Sequence, residues 1–516
     1  MLVRWLQLLM PIATLNMIRL DRRQRESLQT QLYRQIRRLI MSGQLAAGVR
    51  LPSTRELGSQ LGASRNTIVY AFDQLVAEGY LDSRVGSGIY VADLPVARGA
   101  VISKASTANV RPISHSRVSH RALLLSAVRV APEYSTSGVR PFRPCQAAVE
   151  HFPFRTWNRA RSYALRSQSN ELMFETEAIG LPRLRRALTA YLRDARGVRC
   201  DFDQVIITAG AQQALSLIGT SLIDRGDPVW IEDPGYLGAK AALARAGARL
   251  IPTPIDGEGL TIPRRRSKFP RLIYTTPSRQ FPLGTTMTLA RRLALLEFAR
   301  TSGAWVIEDD YDSEFRYAGR PLPSLQGLDS HDSVIYVGSF SKVLFASLRL
   351  GYLVVPHHLV DTFRKAKEIQ TGSSPAIDQA TAAAFISEGF FSTHVRRMRE
   401  LYRERRDVFL YEAKKHLSGL LTFPSVEGGM DAMGYLPANI NDVAVSTRLS
   451  KVGIDAPPLS AYCLGTCPPG LVCGFTAFSP PQIRSAIQMI CRQRLNDLKA
   501  DSRRVESKAI GRVRSD

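Results

Sequence analysis

A chain of 516 residues exceeds what one hydrophobic core usually holds, so two or more domains are expected. Its 69 Lys and Arg against 45 Asp and Glu leave a formal charge of +24, which favours a polyanionic partner such as nucleic acid. Six cysteines without CxxC spacing argue against a disulfide framework or a zinc site and fit a reducing cytoplasm, while the apolar run Met1 to Met10, broken by Pro11, is too short to span a bilayer, so no membrane role is expected.

Residues 1–25 read as a poorly defined extension, with Met17 as an alternative start. From Leu28 the apolar positions Leu28, Leu32, Ile36, Leu39 and Ile40 fall on one helical face. Ser53 caps a second helix through Leu61, Gly62 makes a turn, and Ser64 caps a third through Glu78, with Ile68, Ala71, Leu75 and Val76 facing inward. That third helix opens on Ser64, Arg65, Asn66 and Thr67, polar groups suited to a major groove. Two short strands around a glycine turn follow over Leu81 to Val91, the layout of a wing against backbone phosphate or the minor groove. Periodicity alone leaves a protein-docking module as good a reading as a winged helix-turn-helix.

The motifs Arg50-Leu-Pro-Ser-Thr-Arg-Glu-Leu57, Ser64-Arg-Asn-Thr67, Glu78-Gly-Tyr80 and Arg84-Val-Gly-Ser-Gly88 together resemble the DNA-binding domain of the GntR family. The resemblance implies a DNA-binding domain over 26–92, with double-stranded DNA as partner. Its contacts would be Arg50, Arg55, Arg65, Thr67 and Gly86, with Ser64, Asn66 and Arg84 in the same motifs. Residues 93–140 then lose periodicity, carry seven basic residues against two acidic, and read as a flexible basic linker.

Over 141–495 apolar, β-prone runs alternate with helical patterns. The runs are Val205 to Thr208, Val229 to Glu232, Arg249 to Pro252, Leu272 to Thr275, Trp305 to Ile307 and Val334 to Val337. Such alternation predicts an α/β domain with a mainly parallel sheet, and ligands gather at the carboxyl ends of its strands. Four of those ends carry chemistry. Thr208-Ala-Gly-Ala-Gln-Gln-Ala-Leu215 offers the amides of Gly210, Ala211 and Gln212 to a phosphate, and Glu232-Asp-Pro-Gly-Tyr236 offers an aromatic ring, Tyr236, to a planar cofactor. Glu308-Asp-Asp-Tyr311 ends an apolar strand with carboxylates that require a cation, such as a protonated pyridine nitrogen. Ser339-Phe-Ser-Lys342 with Arg349 supplies an amine for an imine, and hydroxyls and a guanidinium for phosphate.

These segments resemble fold-type I aminotransferases, which bind pyridoxal 5'-phosphate. With the winged helix in front, the chain is similar to the MocR subfamily of GntR regulators. The specific matches are Glu308-Asp-Asp-Tyr-Asp-Ser-Glu-Phe-Arg-Tyr317, Gly319-Arg-Pro-Leu-Pro-Ser-Leu-Gln-Gly327, Gly338-Ser-Phe-Ser-Lys342 and Leu348-Arg-Leu-Gly-Tyr352. The resemblance makes Lys342 the lysine of the cofactor's aldimine and Asp309 the partner of the ring nitrogen. Tyr311 becomes the partner of the ring hydroxyl, and Ser339, Ser341 and Arg349, with the amides of Gly210 to Gln212, hold the phosphate. The family's histidine is replaced by Arg279 and its proline by Ala346; the histidine after Gly428-Gly429 is absent, where the chain reads Met430-Asp431. The arginine that aminotransferases place near the last strand for a substrate carboxylate is also absent, the positions being Val472 and Cys473. The expected function is a cytoplasmic, homodimeric DNA-binding transcription regulator that senses pyridoxal phosphate or an amine or amino-acid effector; the alternative is a working aminotransferase with an accessory DNA-binding domain. Residues 496–516 read as a basic tail.

Overall fold

Side-chain caps set the helices of the amino-terminal module. In the computed structural model, which describes residues 15–493 apart from 16, 25, 85, 94–137, 169, 264–268, 320 and 321, the hydroxyl of Ser27 starts α1 (Leu28–Met41). Ser53 starts α2 (Thr54–Leu61) by accepting from the Glu56 amide, and Ser64 starts α3 (Arg65–Ala77) by accepting from the Thr67 amide. Strands β1 (Leu81–Arg84) and β2 (Gly88–Val91) pair antiparallel as the wing. Leu32, Ile36, Leu57, Ile68, Phe72 and Leu75 close one small core. Ile68, Ala71 and Leu75 are buried as expected, Val76 packs half-buried against the same core, and Phe72, which the periodicity left out, is buried with them.

The extension also needs correction. Leu15 and Ile18 are 2 % exposed and belong to that same core, while Arg19 and Asp21 exchange hydrogen bonds with Gln35 and Gln31 of α1. Residues 18–21 thus strap α1, with Leu15 in the same core, and a start at Met17 would remove Leu15 from it. The linker between 94 and 137, the tail beyond 493, Val85 of the wing motif and Arg320–Pro321 lie outside the described residues.

The chain divides into two units, residues 1–117 and 118–516. In the larger unit the successive elements are α4 (Phe154–Gln168), α5 (Pro182–Arg196), β3 (Val205–Thr208), α6 (Ala211–Leu222), β4 (Pro228–Asp233), α7 (Leu237–Ala246), β5 (Arg249–Asp256), β6 (Gly259–Leu260), β7 (Leu272–Thr275), α8 (Leu289–Ser302), β8 (Trp305–Asp310), α9 (Leu325–Leu328), β9 (Val334–Ser339) and β10 (Gly351–Val354). They form one sheet in the order β3-β10-β9-β8-β7-β4-β5-β6. The pairs β9–β8, β8–β7, β7–β4 and β4–β5 are parallel, as alternation predicts. The mainly parallel sheet is nevertheless mixed: β10 runs antiparallel between β3 and β9, and β6 turns back on β5. β10 escaped the sequence reading because a glycine opens it.

A smaller lobe follows α10 (Val360–Thr371), α11 (Ala376–Ser387) and the long α12 (Phe390–His416). It holds the antiparallel pair β11 (Asp431–Tyr435) and β12 (Gly470–Gly474), with α13 (Asp442–Lys451) and α14 (Pro480–Cys491). Phe142 bridges to Gly474 and is buried in this lobe's core, so the lobe draws residues from both ends of the domain. Among the described residues there is one disulfide and no framework: Cys463 and Cys467, with Cα atoms 6.6 Å apart, are bonded, and the other four cysteines are free. The bonded pair's spacing of four falls outside the CxxC pattern used to search for pairs.

Candidate functional site

Strand ends β3, β4, β8 and β9 converge on one cavity of about 330 Å³. All ten residues named from the sequence for a cofactor line it: Gly210, Ala211, Gln212, Tyr236, Asp309, Tyr311, Ser339, Ser341, Lys342 and Arg349.

The phosphate end is built from backbone. Gly210, at φ 103, is the N-cap of α6 and no side chain caps the helix, so its first amides stay available to an anion. Gly351 at the start of β10 packs so closely that a side chain there would lie 2.7 Å from the Gly210 Cα, which fixes this loop against β10. Arg349 sits in the same corner: a Cβ on Gly210 would lie 3.8 Å from its guanidinium. Ser339 and Ser341 face each other across a hydrogen bond of 3.2 Å from the Ser341 amide.

The opposite end is built from β8, whose alternation separates its acidic residues. Glu308 and Asp310 point to one side, where cations answer them. Glu308 accepts from the amides of Leu325 and Gln326 and lies 3.9 Å from Arg292, while Asp310 takes Arg196 at 2.7 Å and the Tyr336 hydroxyl. Asp309 points the other way, into the cavity. It is 4 % exposed, accepts one neutral hydrogen bond of 2.7 Å from Tyr274, and has no ion pair among the described residues. Burial pushes its carboxyl up to about 7.

That lone carboxylate tests the fit of the group the fold implies. A buried acid with one neutral donor lacks a cation, and the protonated ring nitrogen of pyridoxal 5'-phosphate is such a cation. An anion cradle at the far end of the same cavity, with an amine between, matches the rest of that molecule, so the residues present fit it.

The titration of Asp309 has a consequence. Its folded-state value lies above that of an exposed aspartate, so the stability it contributes without cofactor is complete at acid pH and is lost as pH rises through about 7. Asp309→Asn is expected to flatten the fall in thermal stability of the cofactor-free protein between about pH 5 and 8. Glu308 and Asp312, also raised to about 7 by burial, keep part of the slope. Melting curves across that range with an unchanged slope in Asp309→Asn would refute the assignment.

Lys342 is half-buried, and its Nζ donates to the Cys145 carbonyl at 3.1 Å. Sequence reasoning missed this partner. Cys145 lies in the left-handed region at φ 58, and its amide and thiol bond the Asp431 carboxylate at 2.6 and 3.3 Å. Also missed were Tyr274, Phe281 and Tyr462, which line the cavity. Tyr274 was the most accessible of these, one residue before the end of a strand already identified. Ala346, in place of the family's proline, is part of the wall.

Arg279, in place of the family's histidine, reaches the cavity indirectly. Its guanidinium donates to the Tyr311 hydroxyl at 2.9 Å and to Asp312 at 3.2 Å, and to the carbonyls of Gly428 and Asp431 at 3.1 and 2.5 Å. Since Arg279 occupies an acceptor position on Tyr311, the phenol's own proton is free to point into the cavity. A second cavity of about 320 Å³ lies on the other side of Arg279. Its arginines 196, 279, 292 and 316 each face a carboxylate, so it presents no unanswered charge.

In the amino-terminal module, Arg55, Ser64, Arg65 and Asn66 are exposed at the start of α2 and around the start of α3, with Thr67 half-buried between them. Ser64 and Thr67 share a hydroxyl hydrogen bond of 2.9 Å, so their first duty is to cap the helix. Arg50 lies against Gly88 of the wing, Arg84 stacks on Tyr90 at 4.6 Å, and Gly86 forms the turn between the strands. Seven of the eight positions thus fall on α2, on α3 and its cap, or on the wing, and Arg50, ahead of α2, bridges to Tyr90 of the wing.

Comparison with known proteins gives two family matches: bacterial regulatory proteins of the gntR family over residues 28–91, and aminotransferase class I and II over residues 143–450. The chain is 40 % identical to the probable rhizopine catabolism regulatory protein MocR of Rhizobium meliloti, over 92 % of this chain and 95 % of that one. It is 32 % identical to the pyridoxine biosynthesis transcriptional regulator PdxR of Corynebacterium glutamicum, over 89 % of this chain and 94 % of that one. Among solved structures it resembles the multiple substrate aminotransferase of Thermococcus profundus, with a TM-score of 0.68 and 27 % identity, over 74 % of this chain and 97 % of that one.

Proposed function

Because the chain belongs to the MocR-type regulators of the GntR family, which join a DNA-binding module to an aminotransferase class I and II domain, we propose that it is a transcription regulator gated by a ligand at a pyridoxal phosphate site. The observation that carries the cofactor reading is Asp309, alone among three consecutive buried acids in facing a cavity without a cation. Bound there, the cofactor supplies an aldehyde that takes up amines and a protonated ring that withdraws electrons. Lys342 would hold it covalently, Asp309 would answer the ring nitrogen and Tyr311 the ring oxygen. Tyr236 would offer its ring to the cofactor's, while Ser339, Ser341, Arg349 and the amides of Gly210 to Gln212 would hold the phosphate.

The protein works on DNA, so its place is the cytoplasm. An amine or amino-acid effector that binds two arrangements of the protein with different affinity shifts its hold on DNA. A homodimer would present two modules to one operator. Support comes from the exposed apolar residues Phe174 and Ile369, at 74 % and 77 %, on segments that meet where a Cβ on Gly372 would lie 3.8 Å from Glu175. Turnover is the lesser reading, because Val472 and Cys473, both buried, occupy the place of the aminotransferase carboxylate arginine.

The test is DNA binding by the purified, cofactor-loaded chain, measured by anisotropy on fragments from upstream of its own gene, with and without amines. An affinity that no amine alters would defeat ligand gating. On the same fragments Arg65→Ala should weaken specific binding by about 1 to 3 kcal/mol if its side chain reads a base edge. A loss of equal size on unrelated DNA would instead make Arg65 a phosphate contact.

A further inference from the structure

A carboxylate entering a partly dry pocket needs a cation, or several donors, to replace its water. Among the described residues the cavity wall has two cationic side chains, Lys342 and Arg349, and the cofactor claims both under the reading above. Arg279 stands behind Tyr311 and is committed elsewhere. Four hydrogen bonds take up four of its five donors, Asp312 answers its charge, and it is wedged over Gly429, where a Cβ would lie 2.1 Å from its Nε. β12 offers Val472 and Cys473, both buried. Beside Cys145 lies the carboxylate of Asp431, which would repel an anion. Apolar and aromatic groups, Leu237, Phe281, Tyr462 and Pro144, make up much of the remaining wall.

We infer that the effector of this pocket is a primary amine with no carboxylate on its amine-bearing carbon, attached to an apolar or aromatic body. The inference rests on the cofactor reading and narrows it, since amines and α-amino acids both suit a pyridoxal site until the second charge is considered. An α-amino acid would bring its carboxylate against a wall with no free cation. A buried charge left unanswered lowers affinity by a factor of about ten or more.

The experiment uses the full-length, cofactor-loaded protein. It is titrated with 2-phenylethylamine against phenylalanine, and with butylamine against norvaline, at one pH and corrected for the fraction of free amine. The cofactor's visible absorbance reports occupancy and the anisotropy of labelled DNA reports the response. Each amine is expected to half-saturate at a concentration about tenfold or more below its matching amino acid. Equal or tighter binding of the amino acids would overturn the inference, and so would no response to either class. If the protein shows no cofactor absorbance before any addition, the cofactor reading itself fails and takes the inference with it.

Discussion

Replacing Lys342 by alanine is expected to abolish covalent retention of the cofactor while leaving the DNA-binding module folded. Among the described residues Lys342 is the one lysine on the cavity wall, which it shares with the anion cradle at Gly210 and the buried acid Asp309. Its hydrogen bond to the Cys145 carbonyl is one a small polar molecule can replace, so its loss costs the fold little. Wild-type protein treated with pyridoxal 5'-phosphate and borohydride, then denatured, should carry the cofactor's mass on the peptide containing Lys342. Lys342→Ala should carry none, though its other contacts can still hold the molecule loosely. Phosphate contacts of the amino-terminal module should persist with their steep salt dependence. Cofactor mass on another lysine of the variant, at wild-type yield, would remove Lys342 from its role.

Much of this was legible because it depends on short-range rules. Ser27, Ser53 and Ser64 accept from amides three residues on, so the helix starts are a matter of residue type and spacing. The parallel strands read as apolar runs because both faces of the sheet are covered. The acidic end of β8 stood out because three adjacent buried carboxylates are costly, yet only the alternation seen in the fold shows that two are neutralised structurally and one is left for a ligand.

What was not legible depends on contacts between distant segments. Nothing local to Cys145 says that its carbonyl will meet Lys342, 197 positions away. Leu15 and Ile18 looked like part of an ill-defined leader because two apolar residues make no period; they matter because the module's core has room for them. Arg279 was visible as a departure from the family, but its effect is set by Gly428, Gly429 and Asp431, which come from the other lobe. A histidine offers at most two donors, whereas this guanidinium ties Tyr311 and Asp312 to the start of β11 at once.

That junction carries the second large effect. Arg279 is 7 % exposed and Asp312 1 %, so Arg279→Met would strip a deeply buried carboxylate of its cation and leave two carbonyls unpaired. Breaking a buried pair from one side costs about 3 to 5 kcal/mol. Burial already pushes the Asp312 carboxyl up to about 7, with Arg279 opposing the shift; removing the guanidinium raises it further. A carboxyl whose folded value exceeds its unfolded one contributes stability that is complete in acid and lost as pH rises through the folded value. The destabilisation by Arg279→Met should therefore be smaller near about pH 5, where the lost carbonyl contacts remain but the carboxyl is neutral, and reach its full size above about pH 8. Denaturant unfolding at the two pH values measures it. Arg279→Met combined with Asp312→Leu removes the stranded charge, and should recover part of the loss and most of the pH dependence. A single variant equally destabilised at both pH values would mean that Arg279 acts through packing and its carbonyl contacts, and that its charge is not what holds Asp312 in place.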